Sequence, residues 1–444
     1  MNISNNKTTI HFLNHSSLLI NYKENYIYTD PFFQNPAFDT WLPTPPMYIN
    51  PSYILAIAKA TKNFYILISH GHDDHCDDKL LTLFKDFKVI ISKFGSPGLK
   101  NRLTKIGFNK IIEIQEDIKK IGIFKFCSFV NKKFSLDDSV QLIKTPDLTF
   151  VHGNDCWWPM QQNHINKINK IKNKKKVLFA SQIAIADGYP SAYTNFKKSE
   201  KEKISIKRVS KSLISSMKNA ANVKAKHFIN YAGHIKIFSK NAEVNSFSGY
   251  VEKNKIDKIL KKIPKKEKVN YLDMFPGDVY NGNIIKGIGR NTYKDQHIKD
   301  SSVDFWELYG QINYPNYKIK FLDLKRKKLL KNFTETFLDY VNNSKKKFRP
   351  EILNSKIIFE IKGQCKETIK FKNYKNNKRL DLHIKWEKDI ADLILSGEIN
   401  FESSYIGCLG NFSVKPKNHY NGHAIRWLSM FGYLWQNKIS KSFL

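Results

Sequence analysis

Four side chains able to bind a metal ion fall within six residues of this chain: His70, His72, Asp74 and His75. The apolar run Phe64-Tyr65-Ile66-Leu67-Ile68 precedes them, and Asp78 to Phe84 after them reads as a helix. A strand-to-helix turn aims alternate residues at one point, so His70 and His72 are expected to grip one cation. Asp74 and His75, where the chain bends into the helix, are expected to grip a second about 3.5–4 Å away. Imidazole and carboxylate suit zinc, iron or manganese and do not choose among them. The motif follows a buried strand, which a polar loop rich in His and Asp by chance would not do. One or two divalent ions are therefore the expected cofactor.

The elements that must position this turn can be read in order. Thr8 to Leu13, Ser17 to Tyr22 and Tyr26 to Thr29 read as strands, the last stopped by Asp30-Pro31. Asn35 to Pro51, rich in Pro and aromatics, reads as a long loop walling a pocket, and Pro51 to Thr61 as a short helix. Beyond the motif, strands at Val89 to Ile91 and Ile111 to Ile114 alternate with a helix over Ser96 to Ile106. Further strands are expected at Ile121 to Val130, Ser139 to Lys144, Leu148 to Val151, Val177 to Ala180 and His227 to Asn230, with a helix over Ile204 to Ala221. This alternation predicts a layered α/β domain. Behind it come a helix over Leu322 to Asn342, four strands, a short helix over Ile390 to Leu395 and a final apolar helix over Ala424 to Trp435. A boundary is expected near 300–320, dividing residues 1–300 from a smaller α+β domain, 301–444, with a faint likeness to sterol-carrier-like domains.

The chain has 444 residues, enough for two domains, and a formal net charge of +34. That charge suits a nucleic acid, a membrane surface or an anionic substrate. The lysines are dispersed apart from short runs at 174–176 and 345–347, which favours a solvated basic surface over a polyanion track. Five cysteines without CxxC spacing argue against a disulfide framework and for a reducing compartment. No signal peptide or membrane-spanning run is visible, so a cytoplasmic, soluble chain is expected.

The His-x-His-x-Asp-His pattern at 70–75 resembles the metallo-β-lactamase superfamily, which implies an αββα sandwich with a metal site at one edge of its sheets. Thr29-Asp30-Pro31-Phe32, Asn35-Pro36-Ala37-Phe38, Gly188-Tyr189-Pro190 and Asn230-Tyr231-Ala232-Gly233 are similar to the CMP-N-acetylneuraminate hydroxylase family, over about residues 8–290. Two departures stand out. The paired Cys and His of a Rieske cluster are missing from this sequence, and no His lies between His75 and His152 to serve as the superfamily's third-motif ligand.

The resemblance makes Asp155 the bridging carboxylate, though a helix cap or turn residue would read alike. It puts His234, at a strand end, at the place of the last superfamily His. His152 is a candidate substitute for the missing ligand, or a neighbour of the ligands. Asp30 is expected to orient a motif His, and His15, Asp187 and Tyr189 to line the cleft. The expected activity is hydrolysis by metal-activated water, with Asp74 as catalytic residue, on a small anionic substrate such as a phosphoester or nucleotide-linked sugar. Three alternatives stay open: an iron oxygenase subunit served by a separate redox partner, a metal-dependent nuclease, and a non-catalytic protein with a degraded site.

Overall fold

Continuous apolar runs such as Phe64–Ile68 and Val177–Ala180 mark strands covered on both faces, as parallel strands between helices must be. In the computed structural model they form the middle of two sheets. The structure describes residues 6–33, 36–44, 50–130, 137–173, 176–239, 242–287, 323–344, 352, 355–371, 380–417 and 420–440. Asn35, most of the lysine run at 174–176, the run at 345–347 and the whole expected boundary at 300–320 lie outside them.

The first sheet has eight strands in the order Ile284–Ile285, Val279–Tyr280, Thr9–Asn14, Ser17–Tyr22, Asn25–Thr29, Asn63–Ile68, Lys88–Ser92 and Ile111–Ile114. The last four run parallel. The second sheet has seven, in the order Asn270–Leu272, His227–Asn230, Val177–Ser181, Thr149–His152, Ser139–Lys144, Phe124–Val130 and Lys119–Ile121. Its first four are parallel.

Side-chain alternation assigns the layers. Tyr65, Leu67, Ile90, Leu178 and Ala180 share one core between the sheets. Ile66, Ile68, Val89 and Ile91 face outward onto Ile54, Ala58, Leu80 and Leu103 of the helices Pro51–Ala60, Asp78–Thr82 and Gly98–Ile106. On the far side Phe179 and Phe228 meet Ile168, Val209, Leu213 and Met217 of Gln162–Ile171 and Lys198–Asn222. The result is the αββα sandwich. Asn50 caps the first helix by accepting from Ser52 N–H at 2.8 Å, with Pro51 preset for the first turn. The expected loop over Asn35 to Pro51 differs in one respect. Trp41–Pro43 is a strand, because it pairs with Ile235–Ile237 nearly two hundred residues away, a partner that local patterning does not reveal.

A separate four-stranded sheet follows, in the order Cys365–Lys370, Ser355–Ile361, Leu380–Trp386, Asn411–Lys415. Ile357, Phe359, Ile361, Leu382, Ile384 and Trp386 alternate inward. They pack on the helices Asp323–Asn343 and Gly422–Ser440, the latter longer than expected. This core is aromatic. Phe333 meets Phe359, Trp386, Phe431 and Trp435 with ring centroids 5.1–6.1 Å apart. It is continuous with Phe38, Trp41, Tyr189 and Tyr193 of the sandwich. Phe412 exchanges backbone hydrogen bonds with Ala192 and Thr194. Among the described residues no helix is long and apolar enough to cross a membrane.

Phe333→Ala leaves a cavity among four aromatic rings. It is expected to cost about 3–5 kcal/mol, read as a lower denaturant midpoint with tryptophan fluorescence as the probe.

Candidate metal centre

The parallel strands of both sheets end at one edge, and the polar residues that follow them meet there. Asp30 follows Asn25–Thr29, Ser69 and His70 follow Asn63–Ile68, His152 ends Thr149–His152 and Tyr231 follows His227–Asn230. Asp30 is fully buried with a left-handed φ of 41°. Its Oδ1 accepts from Ser69 N–H at 2.7 Å. Its Oδ2 accepts from Ser69 Oγ at 2.8 Å, Tyr231 OH at 2.6 Å and His75 Nδ1 at 2.9 Å. Burial alone would raise its pKa, but His75, His152 and the Tyr231 hydroxyl outweigh that and hold it at about 2.

These bonds fix the imidazole tautomers. His75 donates Nδ1–H to Asp30, so in the neutral ring Nε2 carries the lone pair, which a cation must win from the proton that the surrounding carboxylates favour there. Ser69 Oγ gives its proton to Asp30 and must accept from His70 Nδ1, 2.9 Å away, so His70 Nε2 carries a lone pair too. Both lone pairs face Asp155: His70 Nε2 is 3.6 Å from Oδ2, and His75 Nε2 is 3.5 Å from Oδ1. Asp155 is aimed there by the turn before it. Gly153 has no room for a side chain, since a Cβ would lie 2.7 Å from Ala180 O. Asn154 adopts a φ of 37° and anchors its amide to Ser139 O at 2.6 Å.

His75 Nε2 and Asp155 Oδ1 are buried and make no hydrogen bond. The two atoms lie 3.5 Å apart, an arrangement that a proton on His75 or a shared cation would satisfy. Among the described residues three donor clusters lie at this edge, each with its atoms within 4.8 Å of one another: His70, His72 and Asp138; His70, His75 and Asp155; and His15, Asp74 and His75. His72 Nδ1 is 2.8 Å from His70 Nε2. Burial and the neighbouring imidazoles of His75 and His72 push the His70 pKa down to about 3. At His75 burial opposes charge, but Asp74, Asp155 and Asp30 overcome it and hold the pKa well above the usual range.

The expected residues divide. The structure brings His70, His72, Asp74, His75 and Asp155 together, with Asp30 behind them. His15 joins them: its Nδ1 accepts from Gly233 N–H at 2.9 Å, so Nε2 donates to Asp74 Oδ2 at 3.0 Å and orients that carboxylate. His152 lies in none of the three clusters. It stacks on Phe150, and its buried Nε2, 3.7 Å from Asp30 Oδ2, makes no hydrogen bond. His234 is a correction: its ring sits among Phe12, Tyr250 and Phe275, outside the clusters. Positive φ at Ala232 (61°) and Gly233 (115°) swings the chain away before it arrives. Asp187 and Tyr189 are a second correction. Asp187 pairs with Arg208 at 2.6 Å and Tyr189 stacks on Tyr420, which places both at the junction with the C-terminal unit.

Two residues were not anticipated. Asp138, 3.9 Å from His70 Nε2, stands just before the strand Ser139–Lys144, where the only cue is a pair of acids. Arg102, on Gly98–Ile106, clamps the motif loop through Gly71 O (2.7 Å), Asp73 (2.9 Å), Cys76 O (2.9 Å) and Asp78 (2.7 Å).

Residues 9–172 match a family model described as a beta-lactamase superfamily domain. The match takes in the motif at 70–75 and Asp155, and it makes this part of the chain similar to that superfamily. Among curated proteins the chain is 30% identical over 107 residues to a Mycobacterium tuberculosis (strain H37Rv) protein named for a Rieske 2Fe-2S iron–sulfur centre. A Mycolicibacterium smegmatis protein of the same name is 29% identical over 107 residues. Each match covers 24% of this chain and only 20% of the relative. Among solved structures, the metallo hydrolase Igni18 from Ignicoccus hospitalis is 13% identical with a TM-score of 0.38, covering 63% of this chain and 99% of that one. The diiron β-hydroxylase CmlA from Streptomyces venezuelae is 12% identical with a TM-score of 0.40, covering 63% and 54%. At those scores neither likeness bears on activity.

Asp30→Asn removes the carboxylate that sets both tautomers. It is expected to lower cation affinity by about 10–100-fold, measured by competition with a chromophoric chelator. Arg102→Ala is expected to weaken binding in the same assay through a loosened motif loop, with the fold intact by circular dichroism.

Proposed function

We propose that this chain is a metal-dependent hydrolase acting on a small anionic ester, with a phosphoester as the leading class. The observation that supports it is Asp155, whose two oxygens face two separate imidazole lone pairs at nearly equal distance. In this reading His70, His72 and Asp138 hold one cation, Asp74 and His75 a second, and Asp155 serves both. Bound divalent cations supply an acidified water and a Lewis acid for the ester oxygen. Asp74 orients the attacking water, its Oδ2 tied to His15 Nε2–H. Asp30 keeps the His70 and His75 lone pairs aimed, and Arg102 keeps the loop from breathing. The net charge of +34 favours an anionic partner by long-range attraction.

A second reading is an iron oxygenase subunit that takes electrons from a separate protein. Two observations favour it: the Rieske name of the mycobacterial relatives, and a cluster of two histidines and one carboxylate, a set that suits non-haem iron.

Elemental analysis of the purified chain, followed by assay on bis(4-nitrophenyl) phosphate and carboxylic esters, tests these readings. Two equivalents of zinc or manganese with turnover are expected, and Asp138→Asn is expected to lose one equivalent and most of the activity. Iron without ester turnover would move the choice to the oxygenase. A chain that takes up no cation even after reconstitution would contradict both.

A further inference from the structure

The lysines are dispersed in sequence, but the C-terminal sheet gathers five of them on one face. Successive side chains of a strand point to opposite faces, and one face of this sheet lies on the aromatic core around Phe333. The register fixes what the other face carries. Its first row across the strands is Lys370, Lys356, Asp381 and Lys415. The second is Thr368, Ile358, His383 and Ser413, and the third is Lys366, Glu360, Lys385 and Asn411. None of these twelve residues is buried, whereas the alternate positions Ile357, Phe359, Leu382, Ile384, Phe412 and Val414 all are.

Two basic rows therefore flank a neutral one. Strand rise and spacing put neighbouring rows about 7 Å apart, and neighbours within a row about 4.8 Å apart. Lys370 and Lys356 stand directly opposite each other, and like charges so placed repel until an anion joins them. Glu360 is engaged by Lys385 at 2.7 Å and by His383 at 2.9 Å. Lys356, Lys366, Lys370 and Lys415 form no ion pair among the described residues.

An open sheet face gives a small ligand no enclosure. Its two inner strands have partners on both sides, so a peptide cannot join there as a strand. Ile358 is the one large apolar side chain of the face, too little to enter a bilayer. What the face offers is fixed positive charge on either side of a strip of hydroxyls, an imidazole and one aliphatic chain. A single-stranded nucleic acid has the complementary layout: phosphates for the lysines, and bases free to meet the strip, which a duplex keeps paired and stacked. We propose that this face binds single-stranded nucleic acid, through its phosphates and with little dependence on sequence. The proposal is independent of the cation reading of the sandwich. With no aromatic residue among the twelve, stacking adds little and the affinity depends steeply on salt.

The test titrates the full chain, with a chelator present, into a fluorescein-labelled oligothymidylate of about twelve nucleotides and reads anisotropy over a range of salt. The wild type is expected to bind, more weakly as salt rises. Lys366→Gln, Lys370→Gln and Lys415→Gln together remove three exposed charges from the outer strands Cys365–Lys370 and Asn411–Lys415. At about 50 mM salt this variant should lose more than about tenfold in affinity. Its log–log salt slope should fall by about 2, since each phosphate contact on a single strand contributes about 0.7. Lys59→Gln, Lys85→Gln and Lys105→Gln make the same change in net charge on the sandwich and should stay within about twofold of the wild type. Unchanged affinity in the sheet variant, or equal losses in the two variants, overturns the proposal. So does a wild type that fails to bind, or that binds a duplex of the same length more tightly. A sheet variant that keeps the oligonucleotide but no longer adsorbs to phosphatidylserine vesicles assigns the face to a membrane surface and overturns it too.

Discussion

Asp30 keeps a full negative charge where water does not reach it, and the candidate centre is arranged around that charge. An ionised carboxylate taken out of water costs several kcal/mol unless donors replace its hydration. Four donors do so here: the Ser69 amide and hydroxyl, the Tyr231 hydroxyl and His75 Nδ1–H. They come from two sheets, so the charge ties the sandwich together at the edge where its parallel strands end. Two of these bonds, from Ser69 Oγ and from His75 Nδ1–H, decide which nitrogen of His70 and of His75 faces Asp155. Protein stability and ligand geometry therefore rest on one group, and the left-handed backbone at Asp30 is a strain this network can hold.

How legible this was in the sequence depends on whether the partners are local. The sheets could be read because parallel strands covered by helices must be apolar throughout, as Phe64 to Ile68 is. The motif at 70–75 could be read because its donors are neighbours in the chain. Asp138 could not: it stands at the start of a strand, and its cluster partners lie more than sixty residues earlier with no spacing rule to join them. His234 misled for the converse reason. It stands where a strand ends, but two residues with positive φ turn the chain before the ring can reach the cluster. Trp41–Pro43 reads as loop because three residues carry no period, and the remote strand Ile235–Ile237 is what makes them a pair.

The two units share more than a surface. The aromatic core around Phe333 runs on into Phe38, Trp41, Tyr189 and Tyr193, and Phe412 borrows backbone hydrogen bonds from residues 192–194. Tyr189 and Asp187, expected in the cleft, serve this junction instead. A junction built from buried tyrosines and a bidentate Arg208–Asp187 pair is specific in direction as well as apolar. The loop Phe38–Trp41 touches the motif on one side and the C-terminal unit on the other.

The central claim is that Asp155 stands between two cation positions. Crystals of the full chain grown with manganese, with diffraction data collected at the manganese absorption edge, test it most directly. The account requires two anomalous peaks, one beside His70, His72 and Asp138 and the other beside Asp74 and His75, with Asp155 between them. No peak at this edge of the sheets, or a single peak at His234, would contradict it.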